Sequence, residues 1–281
     1  MTYREATAVG EKILNKAGIA DAKTDAWLLL EMVCRIEGNY DFRSFYYLHM
    51  EEEVPEEQIH EYEITLKKRA EHVPLQYIVG ETEFMGLKFK VNSSVLIPRQ
   101  DTETLVEEAI KAVEPGMRVL DLCTGSGCII VGILHNVPDV TGMAVDISKQ
   151  ALNVAKENAK QNDVPVLFER SDLFDNVSGV YDVIVSNPPY IPTEVIAGLM
   201  PEVRDFEPME ALDGKEDGLY FYRRIVAECA DYLAPGGWLL FEIGYDQGEA
   251  VSGMLRAAGF LDVAVIRDLA GNDRVVKGKR A

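Results

Sequence analysis

The sequence has little of what marks metal-binding, disulfide-bonded and redox proteins. Its 281 residues include only four cysteines and four histidines. The cysteines (Cys34, Cys123, Cys128 and Cys229) form no C-x-x-C pair, which favours core thiols in a reducing compartment over a redox or metal pair. The histidines show no ligand spacing. We therefore predict no metal site.

Long apolar runs and an excess of positive charge are also missing. No run approaches the roughly 18 apolar residues of a membrane helix, and no charged-then-apolar leader opens the chain. We expect a cytoplasmic protein with no membrane partner. The 28 basic residues face 47 acidic ones, for a net charge of −19. Because proteins that grip a nucleic-acid backbone usually carry a basic surface, this balance favours protein or small-molecule partners.

What the chain does contain is enough apolar sequence for a core, at 47% of residues, and a helical pattern at its start. Thr2 and Glu5 resemble a capping box before apolar residues at helical spacing. A second helix should end near Gly38, an aromatic-rich stretch from 39 to 50 is interpreted as core, and a third helix should run from Pro55 to about His72. We predict a small helical domain over residues 1–76.

Short extended segments follow this helical part. Pro74 is expected to end the helices, and the residues from Tyr77 to Val79, a turn at Gly80 and the stretch from 83 to 91 read as a β-hairpin. We predict a hairpin linker over residues 77–97 and a second domain over residues 98–281.

The second domain alternates strands and helices, which is typical of an α/β fold with a parallel sheet. The last two strands are separated only by residues 268–273, too few for a crossover, so the final strand should run antiparallel. The predicted strands cover residues 118–122, 140–145, 166–169, 180–186, 238–243, 261–267 and 274–277.

One of these strands ends in an unusual way. The apolar residues up to Ser186 are followed by Asn187-Pro188-Pro189-Tyr190. Two prolines stop the strand and send an extended backbone out of the sheet, leaving an amide, free carbonyls and an aromatic ring at its carboxyl end. Ligands bind at that edge in open α/β sheets.

The residues that follow three other predicted strands indicate a nucleotide-binding site. The first strand leads into a glycine-containing loop, residues 121–127, which is neither the dinucleotide fingerprint nor a phosphate-binding Walker loop. Asp146 closes the second strand, where an acid accepts from ribose hydroxyls, and Asp172 closes the third, beside apolar Leu173. Together these features indicate an adenosyl ligand without a diphosphate.

At this point the sequence resembles a class I methyltransferase, and within that class the HemK/PrmC family of protein-(glutamine-N5) methyltransferases that modify peptide-chain release factors. The similarity is good over about residues 70–281. It lies in the segments 74–80, 84–87, 95–103, 121–127, 187–192, 207–219 and 268–276. Two departures are Cys123, where the family usually has the first glycine of its loop, and Gln100, where it has proline. We expect Cys123 to avoid positive φ, because cysteine would be strained there.

The resemblance implies a Rossmann-like seven-stranded sheet with its last strand antiparallel, a helical substrate-recognition domain and a hairpin between them. It implies S-adenosyl-L-methionine as cofactor, S-adenosyl-L-homocysteine as product, and transfer of methyl to the glutamine of a Gly-Gly-Gln loop in release factors. We expect a monomer. The implied cofactor-binding residues are Asp121, Thr124, Gly125, Gly127, Asp146, Ile147, Asp172, Leu173 and Asn187.

The amide nitrogen of glutamine is a poor nucleophile, so the site must orient it. We predict Asn187, Pro188 and Tyr190 as catalytic residues, and these with Pro189 as substrate-binding residues. The Asn187 side chain and the Pro188 carbonyl would each accept one amide hydrogen, and Tyr190 would stack on the amide plane. Arg99 either acts behind the site or on its product side, or forms a structural salt bridge with a nearby acid; both interpretations stay open.

Two other functions fit parts of this pattern. An N6-adenine nucleic-acid methyltransferase would use the same four-residue geometry on a flipped base, but the acidic charge argues against it. A non-catalytic release-factor-binding protein would not need an intact Asn187–Tyr190 set.

Overall fold

The first part of the chain is helical in the computed structural model, which describes residues 1–34 and 41–281. Thr2 and Glu5 form the predicted capping box, so that prediction is confirmed. The predicted helix end near Gly38 lies outside the described residues. The helices here are α1 (Tyr3–Lys16), α2 (Ala22–Cys34), α3 (Phe42–His49), α4 (Glu56–Ala70) and α5 (Leu75–Val79).

The helical part is one of two compact units of the chain, and it contains Met1–Gly80 together with Pro201–Phe206. Its aromatic stretch is partly core, as predicted: Phe42 and Tyr46 are buried and pack edge-on against Trp27. Tyr47, in contrast, is 62% exposed. The buried Arg69 guanidinium joins α2 to the segment 201–206, because it pairs with Asp25 (2.7 Å) and Glu202 (3.1 Å).

The prediction for residues 77–79 is wrong. Tyr77–Val79 belong to α5 and are helical, and Pro74 is the N-cap of this helix instead of the end of the helical part. Proline fixes the φ that a helix start needs, and Gly80 at φ 85° ends the helix after little more than one turn. The hairpin begins only after Gly80, with strands β1 (Glu81–Phe84) and β2 (Leu87–Lys90).

The second unit, Glu81–Met200 with Glu207–Ala281, is built on the predicted seven-stranded sheet. Its strands are β3 (Arg118–Leu122), β4 (Thr141–Asp146), β5 (Val166–Arg170), β6 (Tyr181–Ser186), β7 (Leu233–Glu242), β8 (Leu261–Arg267) and β9 (Asp273–Lys279). They lie in the order β5-β4-β3-β6-β7-β9-β8, and β9 runs antiparallel to both of its neighbours, as predicted.

Helices alternate with these strands, as predicted for an α/β fold. The longer ones are α6 (Gln100–Ile110), α7 (Cys128–Asn136) and α8 (Lys149–Gln161). The segment after β6 carries three four-residue helices, α9 (Thr193–Ile196), α10 (Pro201–Arg204) and α11 (Met209–Leu212), before α12 (Tyr220–Glu228) and α13 (Gly248–Ala257).

Both faces of the sheet are covered by apolar clusters. Val185 of β6 and Leu240 of β7 point into the cluster that contains α6, α7 and the hairpin side chains Phe84 and Phe89. Ile184 and Phe241 point to the other face, where α12 and α13 pack. This alternation assigns each residue at the strand ends to one face. None of the helices in the described ranges is long and apolar enough to cross a bilayer.

Candidate active site

The Asn187–Tyr190 stretch lies where we predicted it, at the carboxyl end of a central strand. Strand β6 runs parallel to β3 on one side and to β7 on the other. Pro188 and Pro189 are buried, and Asn187 and Tyr190 are partly buried. The stretch is therefore held at the centre of the sheet, where the strand before it has a hydrogen-bonded neighbour on each side.

A cavity of 340 Å³ opens at this edge of the second unit. Among the residues we predicted, its wall contains Thr124, Gly125, Asp146, Ile147, Asp172, Leu173, Asn187 and Pro189. Asp121, Gly127, Pro188 and Tyr190 lie outside this wall. The structure thus brings the ends of β3, β4 and β6, and the turn after β5, to one concave surface of a size that suits a small ligand.

The loop after β3 turns through three residues with positive φ. Gly125 (φ 55°) and Gly127 (φ 81°) do so without steric cost. Cys123 has φ 60°, so our expectation that it avoids this region is wrong. The loop keeps the backbone path that suits glycine, and the cysteine side chain is accommodated at the cavity wall. Burial raises the pKa of its thiol, which is therefore protonated and a weak nucleophile.

Asp121 and Gly127 support this loop from behind the cavity. Asp121 is fully buried and accepts the Thr124 hydroxyl at 2.6 Å. Burial raises its pKa to about 7. Gly127 caps α7, and a side chain there would press on Ala155 of α8. Asp121 and Gly127 thus support the turn that carries Thr124 and Gly125 to the cavity wall.

Asp146 is anchored by backbone groups on both of its oxygens. Oδ2 accepts the Gly125 N–H and Oδ1 the Ser148 N–H, each at 2.9 Å. Burial raises its pKa. A carboxylate has about four lone-pair sites, so it can still accept a hydrogen bond from a ligand. The adjacent Ile147 is 52% exposed, which leaves an apolar side chain at the cavity rim.

Asp172 is paired with a guanidinium group. Its Oδ1 accepts from the Arg224 guanidinium at 2.8 Å, and the carboxylate remains 41% exposed on its side-chain surface. Leu173 follows at φ 50° and is buried in the apolar cluster on the α12 and α13 face of the sheet. The acid-plus-apolar pair thus sits at one end of the cavity.

The backbone after Tyr190 is held by close packing. The Gln247 amide donates to the Tyr190 carbonyl (3.0 Å) and the Gly218 carbonyl (3.3 Å). Gly214 and Gly218 approach the Tyr190 backbone so closely that a Cβ on either would collide with it. The Tyr190 ring packs against the core on the α12 face. The described residues contain no hydrogen bond to the Pro188 carbonyl.

Arg99 makes the salt bridge that was one of our two interpretations. One of its terminal nitrogens lies 2.6 and 2.7 Å from the two oxygens of Glu207, whose side chain is almost fully buried. Arg99 also lines the cavity. The pair ties the start of α6 to the segment after β6.

Sequence reasoning missed most of the wall contributed by the segment between β6 and α12. The missed lining residues are Pro208, Glu210, Ala211, Asp213 and Lys215 in this segment, and Tyr220, Phe221 and Arg224 on α12. The signal was present, because part of this stretch carries the family resemblance, but its structure could not be derived from periodicity. Glu242, at the end of β7, was also missed, although an acid at the end of an apolar strand is unusual.

Comparisons with known proteins agree with this geometry. A model described as the PrmC N-terminal domain matches residues 5–80, and one described as the methyltransferase small domain matches residues 100–197. A methyltransferase structure from Pyrococcus furiosus, 18% identical with a TM-score of 0.53, covers 70% of this chain and 90% of its own, and shows the shared fold.

Full-length relatives are closer in sequence. The release factor glutamine methyltransferase of Geobacter sulfurreducens is 40% identical over 267 residues, which cover 95% of this chain and 92% of that protein. The protein of the same name from Clostridium botulinum is 38% identical over 287 residues and covers 100% of both. The predicted family is thus confirmed: the chain belongs to the release factor glutamine methyltransferases and is an S-adenosylmethionine-dependent enzyme.

Proposed function

We propose that this protein transfers a methyl group to the side-chain amide nitrogen of the glutamine in the Gly-Gly-Gln loop of peptide-chain release factors. The observation that carries the proposal is Asn187-Pro188-Pro189-Tyr190, which lies at the end of β6 beside a cavity of 340 Å³. Full-length similarity to proteins named for this reaction supports it.

The cavity residues fit S-adenosylmethionine. The loop 121–127 brings backbone close to the cavity, and a Cβ on Gly125 would meet open space. Asp146 is fixed by two backbone N–H groups with lone pairs left for hydroxyls, and Asp172 with Leu173 would hold and cover the adenine. When bound, this cofactor supplies an electrophilic methyl group on a sulfonium. Cys123 stands where the family usually has glycine, and the loop keeps the positive φ at this position that glycine would adopt.

The protein's own contribution to transfer is orientation of the amide. Asn187 Oδ1 and the Pro188 carbonyl accept its two hydrogens, which turns the nitrogen lone pair toward the cavity and stabilises the positive charge that develops on nitrogen. Tyr190 bounds the plane of the amide. Neither acceptor is a base, and the methylated nitrogen is acidic enough to lose its proton to water afterwards.

We further propose that residues 1–76 form a substrate-recognition domain, followed by the linker 77–97 and the catalytic domain 98–281. A release factor works in translation, in keeping with our expectation of a cytoplasmic enzyme. We expect this protein to act as a monomer.

The test is transfer of labelled methyl from S-adenosylmethionine to three acceptors: purified release factor, a release factor with alanine in place of the loop glutamine, and DNA. We expect label on the intact release factor alone. Label on DNA would favour the N6-adenine activity, and equal label on the alanine variant would exclude the loop glutamine as the acceptor.

A further inference from the structure

Glu242 and Asn187 are neighbours on one face of the sheet. Ser186 of β6 pairs with Phe241 of β7 in parallel register, so the next residues, Asn187 and Glu242, lie side by side where the two strands end. Side chains alternate along a strand. Val185 and Leu240, two residues earlier, both point into the α6 and α7 face, and Asn187 and Glu242 therefore start on that face.

The Glu242 carboxylate is buried and incompletely paired. The residue is 2% exposed, and its Oε2 has no hydrogen-bond partner within the described ranges. Buried oxygens without partners are rare, and each calls for a physical reason. Thr102, which lines the cavity from the first turn of α6, and Asn187 are the neutral polar side chains beside this carboxylate that lower its pKa.

Two segments that have no role in the proposed mechanism so far, 95–103 and 268–276, meet close to Glu242. Arg274 of β9 is buried, pairs with Asp268 (3.1 Å) and Asp101 (3.2 Å), and attracts the Glu242 charge. Segments 95–103 and 268–276, which carried the family resemblance, thus meet behind Asn187. The titratable and charged groups facing Glu242 are Asp101 on α6, Cys128 on α7, Arg274 on β9, Tyr190 after β6 and Tyr222 on α12.

The Oδ1 and the NH₂ group of an asparagine side chain are similar in size and shape. A neighbouring group must therefore determine which of the two faces the substrate. An ionised carboxylate only accepts hydrogen bonds, so it selects the Asn187 NH₂ and turns Oδ1 away from itself. A protonated carboxyl or a glutamine both donates and accepts, and therefore tolerates the reversed orientation. In that orientation the Asn187 NH₂ would face the NH₂ of the substrate, donor against donor.

We propose that Glu242 is a positioning residue for Asn187: its carboxylate holds the Asn187 NH₂ so that Oδ1 is presented to the amide nitrogen that is methylated. This inference rests on the proposed function for its substrate. Burial raises the pKa of Glu242 to about 7, with hydrogen bonds from Thr102 and the Arg274 charge opposing that rise. The orientation should therefore weaken as the pH falls below neutrality.

The kinetic test compares Glu242→Gln with the wild type at saturating cofactor between pH 6 and 8. We expect kcat of the variant to be about 10-fold lower at pH 8, and the difference to shrink toward pH 6 as wild-type Glu242 becomes protonated. The Kd of cofactor should change less than about 3-fold, since Glu242 does not line the cavity. Glu108→Gln is the control, because Glu108 is a buried acid of α6 paired with Lys111 and Lys277. Its kcat profile should match the wild type.

A second readout is independent of turnover. In ¹⁵N-labelled wild-type protein, the side-chain NH₂ signals of Asn187, identified by their loss in Asn187→Ala, should shift with pH around the Glu242 titration. They should not shift in Glu242→Gln. An unchanged kcat profile in Glu242→Gln, or Asn187 signals that ignore pH in the wild type, would overturn the proposal. Titrating signals without methyl transfer to release factor would instead reject the proposed function and keep the positioning role.

Discussion

Cys123 shows that a backbone conformation can persist when the residue best suited to it is replaced. Its φ of 60° is costly for any side chain, by about 1–2 kcal/mol. We expect Cys123→Gly to be more stable than Cys123→Ala by about 1 kcal/mol, because both remove the thiol and only glycine removes the strain. Urea unfolding checks this. Cys229, at φ −59°, should show the opposite order for the same two substitutions. Equal stabilities of the Cys123 pair would mean that the strain is absent in solution.

Two other single residues separate binding from transfer. Asn187→Ala should lower kcat by about 100-fold or more, since one of the two acceptors for the amide is lost, while the Kd of cofactor stays within about 3-fold.

Asp146→Ala should raise the Kd of cofactor by about 10-fold or more, because it removes the fixed acceptor for hydroxyls. Calorimetric titration with cofactor and steady-state rates measure both. Loss of cofactor binding in Asn187→Ala would contradict its assigned role.

At the scale of elements, the chain just before α12 is held against the end of β6 by the close approach of Gly218 to Tyr190. A Cβ at Gly218 would collide with the Tyr190 carbonyl and the Gln247 amide, and Gly218 also has φ 72°. We expect Gly218→Ala to displace Tyr190 and lower kcat by about 10-fold or more. Gly271→Ala is the matched control, because its φ of 88° carries the same strain with nothing within 4 Å of the new Cβ. It should lose stability and keep its kcat. Equal effects on kcat would show that strain alone, not Tyr190, is responsible.

The elements also show what a sequence can and cannot predict here. Periodicity predicted all seven strands, because a run such as Val183–Val185 has few alternatives to a buried strand. It failed at Tyr77–Val79, where a short apolar run fits a helical turn equally well and Pro74 and Gly80 decided the outcome. It could not place residues 207–219 in the cavity wall, since their conformation depends on contacts with Tyr190 and Gln247. Glu242 was missed because its role depends on the register of two strands far apart in the chain.

At the scale of the whole molecule, two sets of buried or half-buried acids make stability depend on pH in opposite directions. Burial raises the pKa values of Asp121 and Glu242 to about 7. In Glu202 and Glu108 the same burial effect is outweighed by hydrogen bonds from cationic partners, and their pKa values are lowered. Near pH 6 the folded protein therefore binds more protons at Asp121 and Glu242 than the unfolded chain does. At acid pH the unfolded chain instead binds more protons.

Stability of the ligand-free protein should therefore rise as the pH increases toward about 5 and fall between about pH 5 and 8, where the two raised acids ionise. Glu242→Gln removes one of these titrations, so its stability relative to the wild type should grow by about 1–3 kcal/mol between pH 5 and 8. Urea unfolding at constant ionic strength measures both curves, and Glu108→Gln, which removes an acid whose pKa is lowered instead of raised, should run parallel to the wild type. A stability that rises from pH 5.5 to 8 in the wild type would show that Asp121 and Glu242 are ionised in the folded protein at far lower pH. Glu242 would then hold Asn187 in the same orientation throughout, and the fall in kcat toward pH 6 would disappear with it.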